Sequence, residues 1–208
     1  MESVDNAGTA QRWDGAYEHG DATCSWYQER PSRSMAMFER AGVTPEDSVI
    51  DVGGGAARLV DELVGRRFCD LTVLDVSEVG LGHARARLRA DAEGVTWLVA
   101  DVLGWAPTRT YRVWHDRAVL HFLSEPAELA AYAQVAAEAV APGGHALIAG
   151  FAPNGPQRCS GLPVTRRSPE QIAALLAPAF SLLQTRTECH RTPSGAEQWF
   201  AYALLRRQ

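Results

Sequence analysis

The chain has 208 residues, and at about 150 residues per domain that length implies a single domain. Its composition, 46% hydrophobic, 22% charged and 8% aromatic, supplies a full core and excludes a disordered, collagen-like or coiled-coil chain. A net charge of −5 has the wrong sign for gripping nucleic acid, no run approaches the roughly 18 apolar residues of a membrane helix, and the acidic, polar N-terminus reads as cytoplasmic rather than secreted.

Residues 1–45 hold two aromatic clusters, Trp13-Asp14-Gly15-Ala16-Tyr17 and Ser25-Trp26-Tyr27-Gln28. Apolar, Val/Ile/Leu/Trp-rich runs then occur at 48–52, 70–76, 95–100, 111–115 and 145–151. They read as strands, and their lack of alternation is that of strands covered on both faces. Helix-like stretches separate most of them. Ser77 caps one expected to run to about residue 91 with Gly94 stopping it, and an Ala-rich helix runs from Pro126 to Val140 before Pro142-Gly143-Gly144 breaks it. This βαβ alternation predicts an α/β fold with a mostly parallel sheet. Residues 152–167 lack periodicity and read as a long loop over the sheet's carboxyl edge. Ser168-Pro169-Glu170-Gln171 then opens a third helix with a capping box, to about Ala177. The last two strand-like runs, 180–190 and 197–205, are joined by a turn short enough to make an antiparallel hairpin. The expectation is a Rossmann-like, doubly wound sheet of seven strands with that hairpin as its edge. Cys24, Cys69, Cys159 and Cys189 lie far apart, so free thiols are expected, and no compact ligand spacing marks a metal site.

In open α/β sheets the ligand lies beyond the carboxyl ends of the strands, near the first strand-to-helix turn. Here that turn is Asp51-Val52-Gly53-Gly54-Gly55-Ala56-Ala57. A dinucleotide fingerprint fails because its third small position falls on Arg58, which argues against a nicotinamide oxidoreductase, and a Walker loop fails for want of lysine.

The segment resembles the first motif of the class I S-adenosylmethionine-dependent methyltransferases: Asp51, then small residues at Gly53, Gly55 and Ala57. The resemblance continues 24 residues on at Asp75-Val76, ending the second strand, at Asp101-Val102 after the third, and at the Pro142-Gly143-Gly144 turn, covering roughly 46–151. It implies S-adenosylmethionine as methyl donor, with the ribose hydroxyls on Asp75, the adenine amino group on Asp101 and apolar side chains stacked on the ring. The N-terminal Trp-Asp-x-x-Tyr element and Trp26-Tyr27 are similar to the opening of the branch containing elongation-factor and citrate-synthase lysine methyltransferases. That likeness implies an aromatic lid over the donor, although the same aromatics would serve to pin a loose N-terminus to the core.

The end of the fourth strand and the residues after it, Trp114-His115-Asp116-Arg117 through His121-Phe122-Leu123, correspond to the segment that lines the acceptor site in the family it resembles. Methyl transfer needs alignment and exclusion of water first, and a base only when the acceptor arrives protonated. His115 and His121 are the candidate bases, with a buried imidazole as the alternative for either. Asp116, Arg117, Cys159 and His190 are the candidate acceptor contacts, with an internal salt bridge as the alternative for the first two. The leading expectation is an enzyme methylating a small nucleophile. A protein lysine is the second expectation and a catalytically silent cofactor-binding protein the third. The division is 1–45 lid, 46–151 donor core and 152–208 acceptor side.

Overall fold

A computed structural model describes residues 6–18 and 21–208. Two helices, α1 (Asn6–Tyr17) and α2 (Ser32–Arg40), precede the sheet. The first half of the sheet is built from β1 (Val49–Val52), β2 (Leu71–Asp75), β3 (Val95–Val99) and β4 (Tyr111–Arg117), with α3 (Leu59–Gly65) and α4 (Glu78–Leu88) as crossovers. Then come α5 (Pro126–Ala139), β5 (Val140–Phe151), a small hairpin of β6 (Arg158–Cys159) and β7 (Leu162–Pro163), α6 (Pro169–Leu176), β8 (Phe180–Arg191) and β9 (Glu197–Arg207).

Seven strands form one sheet in the order β3-β2-β1-β4-β5-β9-β8. β1 to β5 pair in parallel, and β9 runs antiparallel to both β5 and β8. Consequently β8 points the same way as the first five strands, and only β9 is reversed.

The apolar strands build two cores because successive side chains leave opposite faces of the sheet. Val49, Val113, Leu147 and Leu204 face α2, α3 and α4, among Phe38, Leu63 and Leu81. Their neighbours Ile50, Trp114, Ile148 and Leu205 face α5 and α6, among Tyr132, Val135, Ile172 and Leu176.

The expected caps form: Gly80 N–H donates to Ser77 Oγ at 2.9 Å, and Ser168 with Gln171 makes a complete capping box. Three boundaries differ from expectation. α4 stops at Leu88 because Arg89 turns to φ +57, and a 3₁₀ segment continues to Gly94. Pro142-Gly143-Gly144 does not precede β5 but lies inside it, where pairing with β4 shifts register between Tyr111 and Val113. The 152–167 connection is not featureless, since β6 and β7 fold it into a hairpin. No helix among the described residues is long and apolar enough to cross a membrane, and all four cysteines are free thiols.

Candidate active site

The carboxyl ends of β1 to β4 border a cavity of about 260 Å³. Its floor is the glycine turn after β1. Gly53 (φ +67) and Gly55 (φ +42) are in the left-handed region, and a Cβ would strike Val119 at the first and the Tyr17 hydroxyl at the second. The backbone therefore comes close to whatever the turn faces.

At one end of the cavity stand the acids. Asp75 is 7% exposed at the tip of β2 and accepts the Ser77 N–H at 2.8 Å. Burial, reinforced by the charges of Asp51 and Asp14, pushes its carboxyl up to about 7 even though the Ser77 and Gly55 N–H groups pull the other way. Asp101 comes just after β3, its Oδ1 fixed by the Leu103 N–H at 2.9 Å. Val76, Val102 and Leu103 supply apolar wall beside these carboxylates.

The N-terminal aromatics roof the cavity. Trp13 meets Trp26 and Phe122 edge-to-face at 5.9 and 5.1 Å between centroids, and Tyr17 meets Trp26 at 5.8 Å. This roof is tied down at several points. Ser77 Oγ donates to Asp14 Oδ1 at 2.6 Å, His83 Nε2 bonds the Tyr17 carbonyl, and His190 Nε2 bonds the Ser25 carbonyl, both at 2.9 Å. Arg117 Nη1 donates to the Trp26 carbonyl at 3.0 Å.

The structure brings Trp26, Gly53, Asp75, Val76, Asp101, Val102, Arg117 and Cys159 to the cavity. Other expected site residues lie elsewhere. Tyr27 and Asp51 border a smaller cleft of about 40 Å³ on the far side of the glycine turn, where Arg58 stacks over the Tyr27 ring. Gly55 is covered by Tyr17. Asp51 spends its carboxylate on His115 Nδ1 at 2.7 Å, and His115 Nε2 pairs with Ser34 Oγ at 2.9 Å. With Nδ1–H donating to the carboxylate, Nε2 accepts from the serine, so His115 has no nitrogen left for a substrate. It braces the glycine turn from beneath and does not border the cavity.

His121 is also misplaced for a base. Its ring lies 4.4 Å from Phe122 and 4.9 Å from Phe151, both nitrogens lack a partner among the described residues, and burial drives its pKa down to about 3. An imidazole that weakly basic takes no proton at neutral pH. Asp116 turns to the opposite face of the sheet, accepting from Val119 N–H, Leu120 N–H and the Tyr132 hydroxyl at 2.8, 3.0 and 2.6 Å. It forms no ion pair with Arg117. His190 reaches the lid rather than the cavity, and burial of the Cys159 thiol raises its pKa, which keeps it protonated. Trp13 and Phe122 belong to the site with Asp14 and Ser34 behind them. The Trp-Asp-x-x-Tyr element signalled Trp13 and Asp14, and Phe122 lay within the expected acceptor-side segment, whereas Ser34 carried no signal.

Residues 49–144 match the family model for a methyltransferase domain. The chain shares its fold with solved S-adenosylmethionine-dependent methyltransferases, and the domain match lies in its sheet-forming core. The 1,6-didemethyltoxoflavin-N1-methyltransferase of Burkholderia thailandensis, solved with S-adenosylhomocysteine, superposes with a TM-score of 0.76 at 18% identity, covering 100% of this chain and 92% of that one. A methyltransferase from Anabaena variabilis superposes at 0.74 with 15% identity, covering 100% and 96%. The N-methyltransferase NodS of Bradyrhizobium japonicum with S-adenosylhomocysteine does so at 0.68 with 16% identity, covering 93% and 97%. No curated protein matches the sequence. The residues present fit the methyl donor: two carboxylates with apolar walls between them, beside a turn that a Cβ would fill.

Proposed function

We propose that this enzyme methylates a small molecule held in the half of the cavity walled by Trp13, Trp26, Phe122 and Cys159. The observation that carries the reading is the roof: α1 and residues 24–26 overhang the site and narrow it to a half-covered cavity of about 260 Å³, where a protein chain would call for an open groove. The Burkholderia thailandensis methyltransferase that shares the fold, solved with 1,6-didemethyltoxoflavin bound, supports the same choice.

Bound S-adenosylmethionine supplies an electrophilic methyl on a sulfonium, and in-line displacement leaves a neutral thioether. Asp75 takes the ribose hydroxyls and Asp101 the adenine amino group through charge-assisted hydrogen bonds. Val76 and Val102 cover the ring. Gly53 admits the donor's backbone-hugging part, with Gly55, Asp51 and Tyr27 acting from behind the turn. Trp13, Tyr17 and Trp26 exclude water and hold the acceptor in line, so alignment carries the rate. Neither His115 nor His121 is free to remove a proton, so the acceptor's reacting atom brings its own lone pair. Residues 1–45 act as lid, 46–151 as donor core and 152–208 as acceptor side of one domain; residues 1–5 and 19–20 of that lid lie outside the described residues.

The test is incubation with methyl-labelled S-adenosylmethionine, a small-metabolite extract and a protein fraction. Label in the low-mass fraction supports the reading. Label on protein lysine would replace it with the lysine reading, and tight donor binding with no label anywhere would leave a silent binding protein.

A further inference from the structure

The charged groups bordering the cavity are unevenly spread. Asp75 and Asp101, at the ends of the neighbouring strands β2 and β3, stand towards the donor end, Glu128 caps the start of α5, and Arg117, at the tip of β4, is the cation beside Cys159 and Trp26. Its guanidinium lies 4.1 Å from the centre of the Phe200 ring. Nη1 donates to the Trp26 carbonyl at 3.0 Å and Nε to the Tyr202 hydroxyl at 3.2 Å. Nη2 is buried with no partner among the described residues.

No carboxylate of the described residues forms an ion pair with this guanidinium. Glu188 accepts the Tyr202 hydroxyl at 2.7 Å and so stands one group removed, and Asp116 points to the other face of the sheet. A half-buried guanidinium without a counter-ion is costly, and an arginine held by its Nε and one Nη keeps the remaining Nη to offer an anion. The fixed acids at the donor end repel the same anion, which sets the orientation of whatever carries it. Around it the edge-to-face surfaces of Trp13, Trp26 and Phe122 suit a flat, apolar body.

Resting on the small-molecule reading, we propose that the acceptor is a planar carboxylate anchored by Arg117. A protonated amine, such as a lysine side chain, is disfavoured at the same place by the like charge. Arg117 also borders the cleft beside Gly53, so the donor's own carboxylate is the rival source of the anion.

The test uses the full chain saturated with S-adenosylhomocysteine and matched probes: benzoate with benzamide, nicotinate with nicotinamide, indole-3-carboxylate with its amide. The wild type should bind the acid of at least one pair about tenfold more tightly than the amide, as a charge-assisted contact requires. Arg117→Met, which keeps the length and the packing on Phe200, should lose that preference, and Arg117→Lys should keep part of it. Arg117→Met removes one tie of the lid but leaves those through Asp14, His83 and His190, so S-adenosylhomocysteine affinity, which also certifies folding, should fall less than about fivefold in both variants. Equal binding of acid and amide, failure of every acid to bind, or a preference that survives Arg117→Met overturns the proposal. So does a variant that loses donor affinity alone, which assigns Arg117 to the donor's carboxylate. Failure of the small-molecule reading itself would appear separately, as methyl label on protein.

Discussion

Asp14 and Ser77 are joined by a 2.6 Å hydrogen bond that crosses 63 residues and pins helix α1 to the N-cap of α4, two residues from Asp75. The serine oxygen is shared, donating to Asp14 while accepting from Gly80 N–H, so lid position and helix cap are set by one group. The lid is therefore fastened to the donor end of the cavity.

Asp14→Ala removes this fastening. A charge-assisted hydrogen bond contributes about 1.5–3 kcal/mol, so S-adenosylhomocysteine affinity should fall roughly tenfold, and limited proteolysis should cut α1 sooner. The α4 cap survives through Gly80, which keeps the loss of thermal stability small. Unchanged affinity together with unchanged proteolysis would free the lid from any part in donor binding.

The chain Asp51–His115–Ser34 is a buried brace beneath the glycine turn. His115→Phe leaves the Asp51 carboxylate buried and unpaired, which costs about 3 kcal/mol of stability in urea unfolding. Turnover per folded molecule should change little. A rate loss of roughly 10²-fold or more with stability intact would instead mean that His115 acts on the substrate.

His121 gives a pH signature. Its pKa of about 3 in the fold lies below the unfolded value near 6.5, so its contribution to stability is complete above pH 6.5 and is lost as the pH falls towards 3. Burial raises Asp116 to about 6 and Asp75 to about 7, which works the other way: the folded state holds their protons and gains as pH falls. Comparing wild type with His121→Leu at each pH cancels the two acids. The leucine removes two orphaned nitrogens, so the variant should be at least as stable at pH 7 and should gain up to about 1.4 kcal/mol per pH unit below 6.5. It should also retain turnover, and a variant that is stable but inactive would return His121 to the chemistry.

The sheet was legible because both of its faces are covered: runs such as 146–151 are apolar throughout, as strands buried on both faces are. Asp75 and Asp101 were singled out by the family resemblance, which places an acid at the end of the second strand and another after the third, and both border the cavity. The roles of the histidines were not legible. Whether His115 meets a ligand or a carboxylate depends on Asp51, 64 residues earlier and directly opposite it in the β1–β4 register. His121 depends on Phe151 and Gly150 from β5, which seal it away from the cavity beside Phe122. Such cross-strand partners leave no trace in local spacing. Arg117 was visible as a candidate, but its unpaired Nη2 emerges only once Trp26, Phe200 and Tyr202 have converged on it.

Asp75 is where the donor site is tested most directly, by titrating wild type and Asp75→Asn with S-adenosylhomocysteine across roughly pH 5.5 to 8.5 in a calorimeter. In the free protein the carboxyl releases its proton at about pH 7, and the ribose hydroxyls require the ionised form. Wild-type affinity should be flat above that pH and fall up to about tenfold per unit below it, with proton release on binding. Asp75→Asn should bind about tenfold or more weakly at pH 8 and lose the pH dependence. Equal affinity and the same pH profile in both proteins would contradict the assignment of this cavity end to the ribose.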